Sequence, residues 1–103
     1  IKGILMGKVI FTISYEVKPD LRPDYLALTQ EMKQHFTGPA GRTYEIYEQK
    51  GKKNSFSEVF VFNSMEEYDQ LEDQDDQMGS IVQRLEKFLA AGKMKYTTLV
   101  ELD

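Results

Sequence analysis

From Thr43 to Phe62 apolar and polar residues alternate in two runs about a polar tip. Tyr44 and Ile46 alternate with Glu45 and Tyr47 in the first run. In the second, Phe56, Phe60 and Phe62 share one face with Glu58, while Ser57, Val59 and Val61 share the other. A period of two carried by β-branched and aromatic residues predicts two strands, and the stretch 49–54 predicts the turn between them. Both faces of the second run are mostly apolar. The hairpin is therefore expected mid-structure, with one layer packed on each side.

Lys8 to Lys18 repeats the alternation, with Val9, Phe11, Ile13, Tyr15 and Val17 facing one way and Ile10, Thr12, Ser14 and Glu16 the other. Pro19-Asp20 ends that strand. A helix then runs to about Phe36, because Tyr25, Leu28, Met32 and His35 or Phe36 recur at helical spacing. Asp20 or a neighbour is expected to cap it, with Pro23 tolerated in the first turn. Thr37-Gly38-Pro39-Ala40-Gly41 stops it. Ser64 and Glu67 form a capping box ahead of a second helical stripe: Tyr68, Leu71, Asp75, Met78, Val82, Leu85 and Leu89. Gly79 weakens its middle, so a break is expected between Asp75 and Gly79. Ala91-Gly92 closes it, and Met94 to Leu102 alternates as a last strand.

The order βαββαβ is the ferredoxin-like arrangement, an α+β fold with a four-stranded antiparallel sheet and both helices on one face. The helices are expected to cover Phe11, Ile13, Tyr15, Tyr44, Phe60 and Phe62. Ile10, Tyr47, Val59, Val61 and Leu99 are left on the open face. An apolar patch of that kind marks an interface, and a second copy related by a two-fold axis is its simplest cover. A monomer with a half-apolar sheet surface is the other arrangement.

Composition narrows the function classes. The 103 residues hold one domain, 6–103. Met6 reads as an initiator, which makes 1–5 an N-terminal extension. The net charge of −4, with lysines clustered only at the hairpin tip, disfavours nucleic-acid binding. The chain has no cysteine, which removes disulfides, thiolate metal sites and cysteine nucleophiles and fits a cytoplasmic protein. No apolar stretch approaches the length of a membrane span. No phosphate loop, nucleophile triad or metal-ligand spacing is present; Gly38 and Gly41 belong to a turn.

The segment 39–68, PAGRTYEIYEQKGKKNSFSEVFVFNSMEEY, resembles the antibiotic biosynthesis monooxygenase-like branch of the dimeric α/β-barrel superfamily. The branch reads PG, a YEL-type strand, a polar tip, an F-x-x-V-E-x-W-type strand and an E-x-[YF] helix start. Val17-Lys18-Pro19-Asp20 is similar to its V-K-P-G, with Asp in place of Gly. The resemblance implies two sheets closing into a barrel across a homodimer, with a cleft between sheet and helices in each protomer. It also implies activities: some members oxidise aromatic polyketides without any cofactor, and others degrade haem. The haem-degrading pattern of Asn, Trp and His falls here on Ile13, Phe62 and Asp76, so none of the three is kept.

Two functions stay open. One is a cofactor-independent monooxygenase acting on a hydrophobic aromatic small molecule. Its cleft would be lined by Phe11, Ile13, Tyr15, Tyr25, Met32, Phe60, Phe62, Leu71 and Met78. Asp75, His35 and Tyr15 are the candidate proton-handling residues. Asp75 lies on the apolar stripe, where burial would raise its pKa, although an exposed acidic turn with Asp73 and Asp76 is the simpler account of it. His35 sits at the stripe's edge, where it also complements the helix dipole. The Tyr15, Tyr25 and Tyr44 phenols could orient a ligand or serve only as core. Glu58 is expected to pair with a hairpin lysine, with a cleft acid as the other reading. The acidic run 66–76 reads as a solvated face. The second function is a non-catalytic ligand-binding or stress-responsive dimer, its cleft filled by the six phenylalanines and five methionines.

Overall fold

The computed structural model describes residues 7–37, 43–73, 76–90 and 93–102, with side chains for all of these except 70–73 and 76–79. The elements are β1 (Val9–Glu16), α1 (Arg22–Phe36), β2 (Thr43–Glu48), β3 (Ser55–Phe62), α2 (Met65–Asp73), α3 (Asp76–Glu86) and β4 (Lys95–Val100). The strands form a four-stranded sheet in the order β2-β3-β1-β4, antiparallel throughout. This is the expected α+β, ferredoxin-like arrangement.

The register follows from the alternation. Phe60 stands opposite Phe11 on one side and Tyr44 on the other. One residue pair further along, Ile46, Glu58, Ile13 and Tyr96 make a row across all four strands. A slip of one residue would turn every one of these side chains to the other face. Phe60 and Phe62 are fully buried beneath the helices, as are Tyr25 and Met32 from α1.

Local signals hold in most places. The Glu67 N–H donates to Ser64 Oγ at 3.2 Å, and Glu67 Oε1 accepts from the Asn63 N–H at 3.2 Å. The capping box is present, reaching back one residue further than expected. Of the second helical stripe, α2 is described to Asp73 and α3 from Asp76, and the expected break at Asp75 lies outside the described residues. Gly79, expected at the break, lies inside α3. Gly51 at the hairpin tip has φ +83°, a conformation that side chains strain to adopt.

Some expectations are corrected. Asp20 caps nothing. The chain enters α1 through a 3₁₀ turn, Pro19–Leu21, and the helix has no side-chain cap. β1 stops at Glu16, and Val17 instead bridges Leu89 beyond the end of α3. Leu89 is therefore core, but not as part of a helical stripe. The glycine-containing stops at 38–41 and 91–92, and residues 1–6, lie outside the described residues.

Arg22 ties the start of α1 to the hairpin. Its guanidinium donates to both Glu48 carboxylate oxygens, at 2.7 and 2.9 Å, and to Asn54 Oδ1 at 2.8 Å. The bond from Arg22, with a second from the Asn54 N–H, holds the Glu48 carboxyl down at about 2, against an ordinary 4.5. A depressed folded pKa stabilises above the unfolded value and loses that contribution as pH falls. Between pH 4.5 and about 2 the wild type should therefore lose thermal stability more steeply than Glu48→Gln. Melting temperatures measured down that range check it, and parallel curves would count against it.

Candidate functional site

β3 carries Glu58 on the helix-facing side between Phe56 and Phe60, and only 2% of its surface is exposed. The expected lysine partner is absent among the described residues: Lys52 at the tip pairs with Glu16 at 3.6 Å on the surface. Further ion pairs join Arg22 to Glu48 and Arg84 to Glu31. Glu58 instead accepts a hydrogen bond from the Tyr44 hydroxyl to Oε1 at 2.8 Å. Its Oε2 has no hydrogen-bond partner among the described residues. Burial drives the Glu58 carboxyl above the ordinary carboxylate range, and the neighbouring Tyr15 and Tyr44 hydroxyls offset only part of that.

Behind Glu58 lies a second polar pair. The Tyr15 and Tyr25 hydroxyl oxygens are 2.8 Å apart, and their rings meet edge to face at 5.8 Å. Burial raises the pKa of Tyr15, Tyr25 and Tyr44 well beyond that of a free phenol, and the Glu58 charge adds to the effect. Three neutral phenols and one carboxyl thus form a compact polar island in an aromatic core. Buried polar groups of this kind usually satisfy one another completely. Here one carboxyl oxygen has no hydrogen-bond partner among the described residues.

A cavity of about 480 Å³ adjoins the island, and Glu58 is part of its wall. Phe11, Ile13 and Phe60 of the sheet form the floor; Met32 and Phe36 of α1 stand on one side and Ile81, Val82 and Leu85 of α3 on the other. The β4 side is lined by Met94, Tyr96 and Thr98, with Tyr68 of α2 nearby. Tyr96 is 57% exposed. Phe11 stacks on Tyr96 with centroids 6.1 Å apart, and the Tyr68 hydroxyl lies 3.1 Å from Thr98 Oγ1. The volume suits a small organic molecule. The wall is apolar apart from a buried carboxyl and a few hydroxyls towards β4.

No family model matches the chain, and a comparison with curated proteins finds no match. Solved structures do match. A conserved protein from Methanosarcina mazei superimposes with a TM-score of 0.79 at 14% identity, over 93% of this chain and 94% of that one. A dabb family protein with a ferredoxin-like fold from Mesorhizobium loti gives 0.72 at 17% identity, over 94% and 99%. The fold is ferredoxin-like. A candidate antibiotic biosynthesis monooxygenase from Caulobacter crescentus shares it, with a TM-score of 0.71 at 14% identity over 96% and 93%. At these identities the likeness is one of fold. It is the fold that the segment 39–68 implied.

Within this ferredoxin-like protomer the expected cleft residues divide. Phe11, Ile13, Met32 and Phe60 line the cavity. Tyr15 and Tyr25 stand behind Glu58, outside the wall. Phe62 is fully buried and stacks on Phe60 at 6.1 Å, also outside the wall. The side chains of Leu71 and Met78, and Asp75 altogether, lie outside the described residues. His35 is not in the cavity. It lines a shallow depression with Glu31, Gln34 and Arg84, and its ring meets Phe36 at 4.9 Å. A helix turns about 100° per residue, so a turn that aims Met32 and Phe36 inward leaves His35 at the margin.

Glu58 was visible in the sequence as a lone acid on an aromatic strand face, but its partner was not. Tyr44 reaches it diagonally, two residues along β2 from Ile46, which stands directly opposite Glu58. Ile81, Tyr68 and Tyr96 were not foreseen as cavity residues. On the far side of the sheet Ile10, Val59 and Val61 are half-buried, while Tyr47 and Leu99 are 58% and 53% exposed.

Proposed function

We propose that the cavity binds a hydrophobic aromatic small molecule and that Glu58 accepts a proton from it, the chemistry of a cofactor-independent monooxygenase. The observation that carries this is the buried Glu58 carboxyl in the cavity wall, with Tyr44 on one oxygen and no described residue on the other. A carboxylate with a raised pKa is a stronger base than a solvated one, and its setting excludes competing water. The fold shared with the Caulobacter protein supports the reading, as does the resemblance of the segment 39–68.

An electron-rich substrate with an activated methylene supplies the rest. Glu58 takes one proton from that carbon. The carbanion passes its electrons to dioxygen and forms a carbon–oxygen bond. The resulting peroxide then loses its O–O bond. One oxygen stays as a carbonyl and the other leaves as water with both hydrogens of the methylene. Oxygen uptake with the anthrone dithranol tests this, with one dioxygen consumed per dithranol and a quinone formed. Binding without uptake would favour the non-catalytic ligand-binding reading.

We also infer that two protomers pack sheet to sheet through Ile10, Tyr47, Val59, Val61 and Leu99, closing a barrel in the cytoplasm. A charge in that face would be desolvated without a partner. Val61→Lys should therefore sediment as a folded monomer where the wild type sediments as a dimer. A wild type that is already monomeric, or a variant that stays dimeric, would rule out this interface. Among the described residues no helix is long and apolar enough to cross a membrane.

A further inference from the structure

A second hollow, of about 490 Å³, adjoins the cavity and shares a wall residue with it, Met94. Lys52, Lys93 and Lys95 line it, together with Ser14, Ser55 and Ser57. We propose that this hollow receives an acidic group carried by the aromatic ligand, and that Lys93 and Lys95 select a carboxylate there. The inference rests on the cavity as the seat of an aromatic molecule and adds that molecule's charge.

Sheet register brings these residues together. Ser14 stands opposite Ser57 on β3 and Lys95 on β4, and Ser55 stands opposite Glu16. β4 is an edge strand, so a hollow at its start opens at the border of the sheet. The walls carry three lysines and one acid, Glu16, in a chain whose net charge is −4. Lys52 is engaged with Glu16 at 3.6 Å. Among the described residues no ion pair includes Lys93 or Lys95. Two ammonium groups on one hollow repel each other, and an anion between them reverses the sign of the interaction.

The hydroxyls add donors. The Ser14 and Ser57 oxygens are 2.8 Å apart, and that bond uses one of their two protons whichever residue donates. Ser55 is 6% exposed, and its Oγ has no partner among the described residues. A buried hydroxyl without a partner is costly, and a carboxylate accepts from hydroxyl and ammonium donors alike.

The cavity itself offers a charge on the ligand no other place. Its described walls hold no lysine, arginine or histidine, and their one carboxyl is Glu58. An acidic group beside Glu58 would be desolvated without a counter-charge and repelled. Past Met94 the same group meets the lysines, in a hollow whose wall does not include Glu58.

Danthron, the quinone of dithranol, and rhein, which is danthron with one added carboxyl, isolate the charge. Visible absorbance measures their affinity for the whole protein. The Met32 methyl resonance reports the seat, because Met32 lines the cavity and not the hollow. At low salt rhein should bind about tenfold more tightly than danthron, the worth of two exposed ion pairs, and about 0.5 M salt should erase the margin. Both lysines are exposed, so K93Q/K95Q keeps its fold. That variant should bring rhein down to the danthron value, whereas Lys50→Gln at the hairpin tip should keep the margin. Equal affinities in the wild type, or a margin that survives in K93Q/K95Q, overturn the inference and leave the aromatic seat standing. Rhein that binds without moving Met32 overturns it too, since the acid would then be held apart from the cavity. If neither quinone moves Met32, the aromatic ligand itself falls, and its acidic group with it.

Discussion

Glu58→Gln should abolish oxygen uptake and, in the same protein, stabilise the fold. The amide is nearly isosteric and keeps an oxygen for the Tyr44 hydroxyl, but it cannot take a proton. Removing a general base lowers the rate by about a hundredfold to ten-thousandfold. The stability change has the other sign. The folded Glu58 carboxyl sits above its ordinary 4.5 because of burial. Between that value and the folded midpoint the native state therefore holds a proton that the unfolded chain has released. Wild-type stability must decline as pH rises through this window. The introduced amide does not titrate, so the variant loses this part of the decline, and above the window it should be the more stable protein. An oxygen electrode and urea unfolding across a pH series measure the two effects. Loss of both activity and stability would instead make Glu58 a structural residue.

Phe60→Ala should be the most damaging substitution in the sheet. Phe60 is fully buried among aromatic neighbours: Tyr44 at 4.6 Å, Phe36 at 5.3 Å, Phe11 at 5.8 Å and Phe62 at 6.1 Å between centroids. It also lines the cavity, so truncation merges new space with old instead of letting the core collapse onto it. Buried Phe to Ala changes cost about 3–5 kcal/mol. Domains of this size have about 5–15 kcal/mol in all. Urea unfolding should show most of the wild-type stability gone. A loss below about 1.5 kcal/mol, the range of tolerated core swaps, would mean that the aromatic cluster is held elsewhere.

These two residues show where the sequence could be read and where it could not. Alternation alone placed Phe60 inward and Val59 and Val61 outward, because a strand's faces follow from parity. It placed Glu58 among the aromatics by the same rule. What Glu58 does there depends on register: Tyr44 is within reach because Ile46, and no other residue of β2, stands opposite. Register is a property of the assembled sheet, and nothing near Glu58 in the chain announces a tyrosine on the next strand. The lysine tip, close in sequence, drew the expectation of an ion pair, whereas Lys52 pairs with Glu16 on the surface. His35 lies outside the cavity for a related reason. Its place on the edge of the α1 stripe was legible, but whether that edge is inside depends on where α3 packs. The element order supplied the topology, and the family resemblance agreed with it. The resemblance could not supply the site, because Ile13 and Phe62 occupy the places of the haem-degrading residues and, of these two, Ile13 alone lines the cavity.

Whether an aromatic ligand sits in this cavity can be seen most directly at its methionines. Met32 and Met94 line the wall, whereas Met65 on α2 is 45% exposed and does not. The methyl resonances of labelled methionine can be followed while alizarin, already at the quinone level, is added. Saturable shifts at Met32 and Met94 with Met65 unmoved, weakened by Glu58→Gln, are the predicted result. Alizarin that leaves Met32 and Met94 unmoved, or that shifts Met65 alone, would contradict a ligand seated against Glu58.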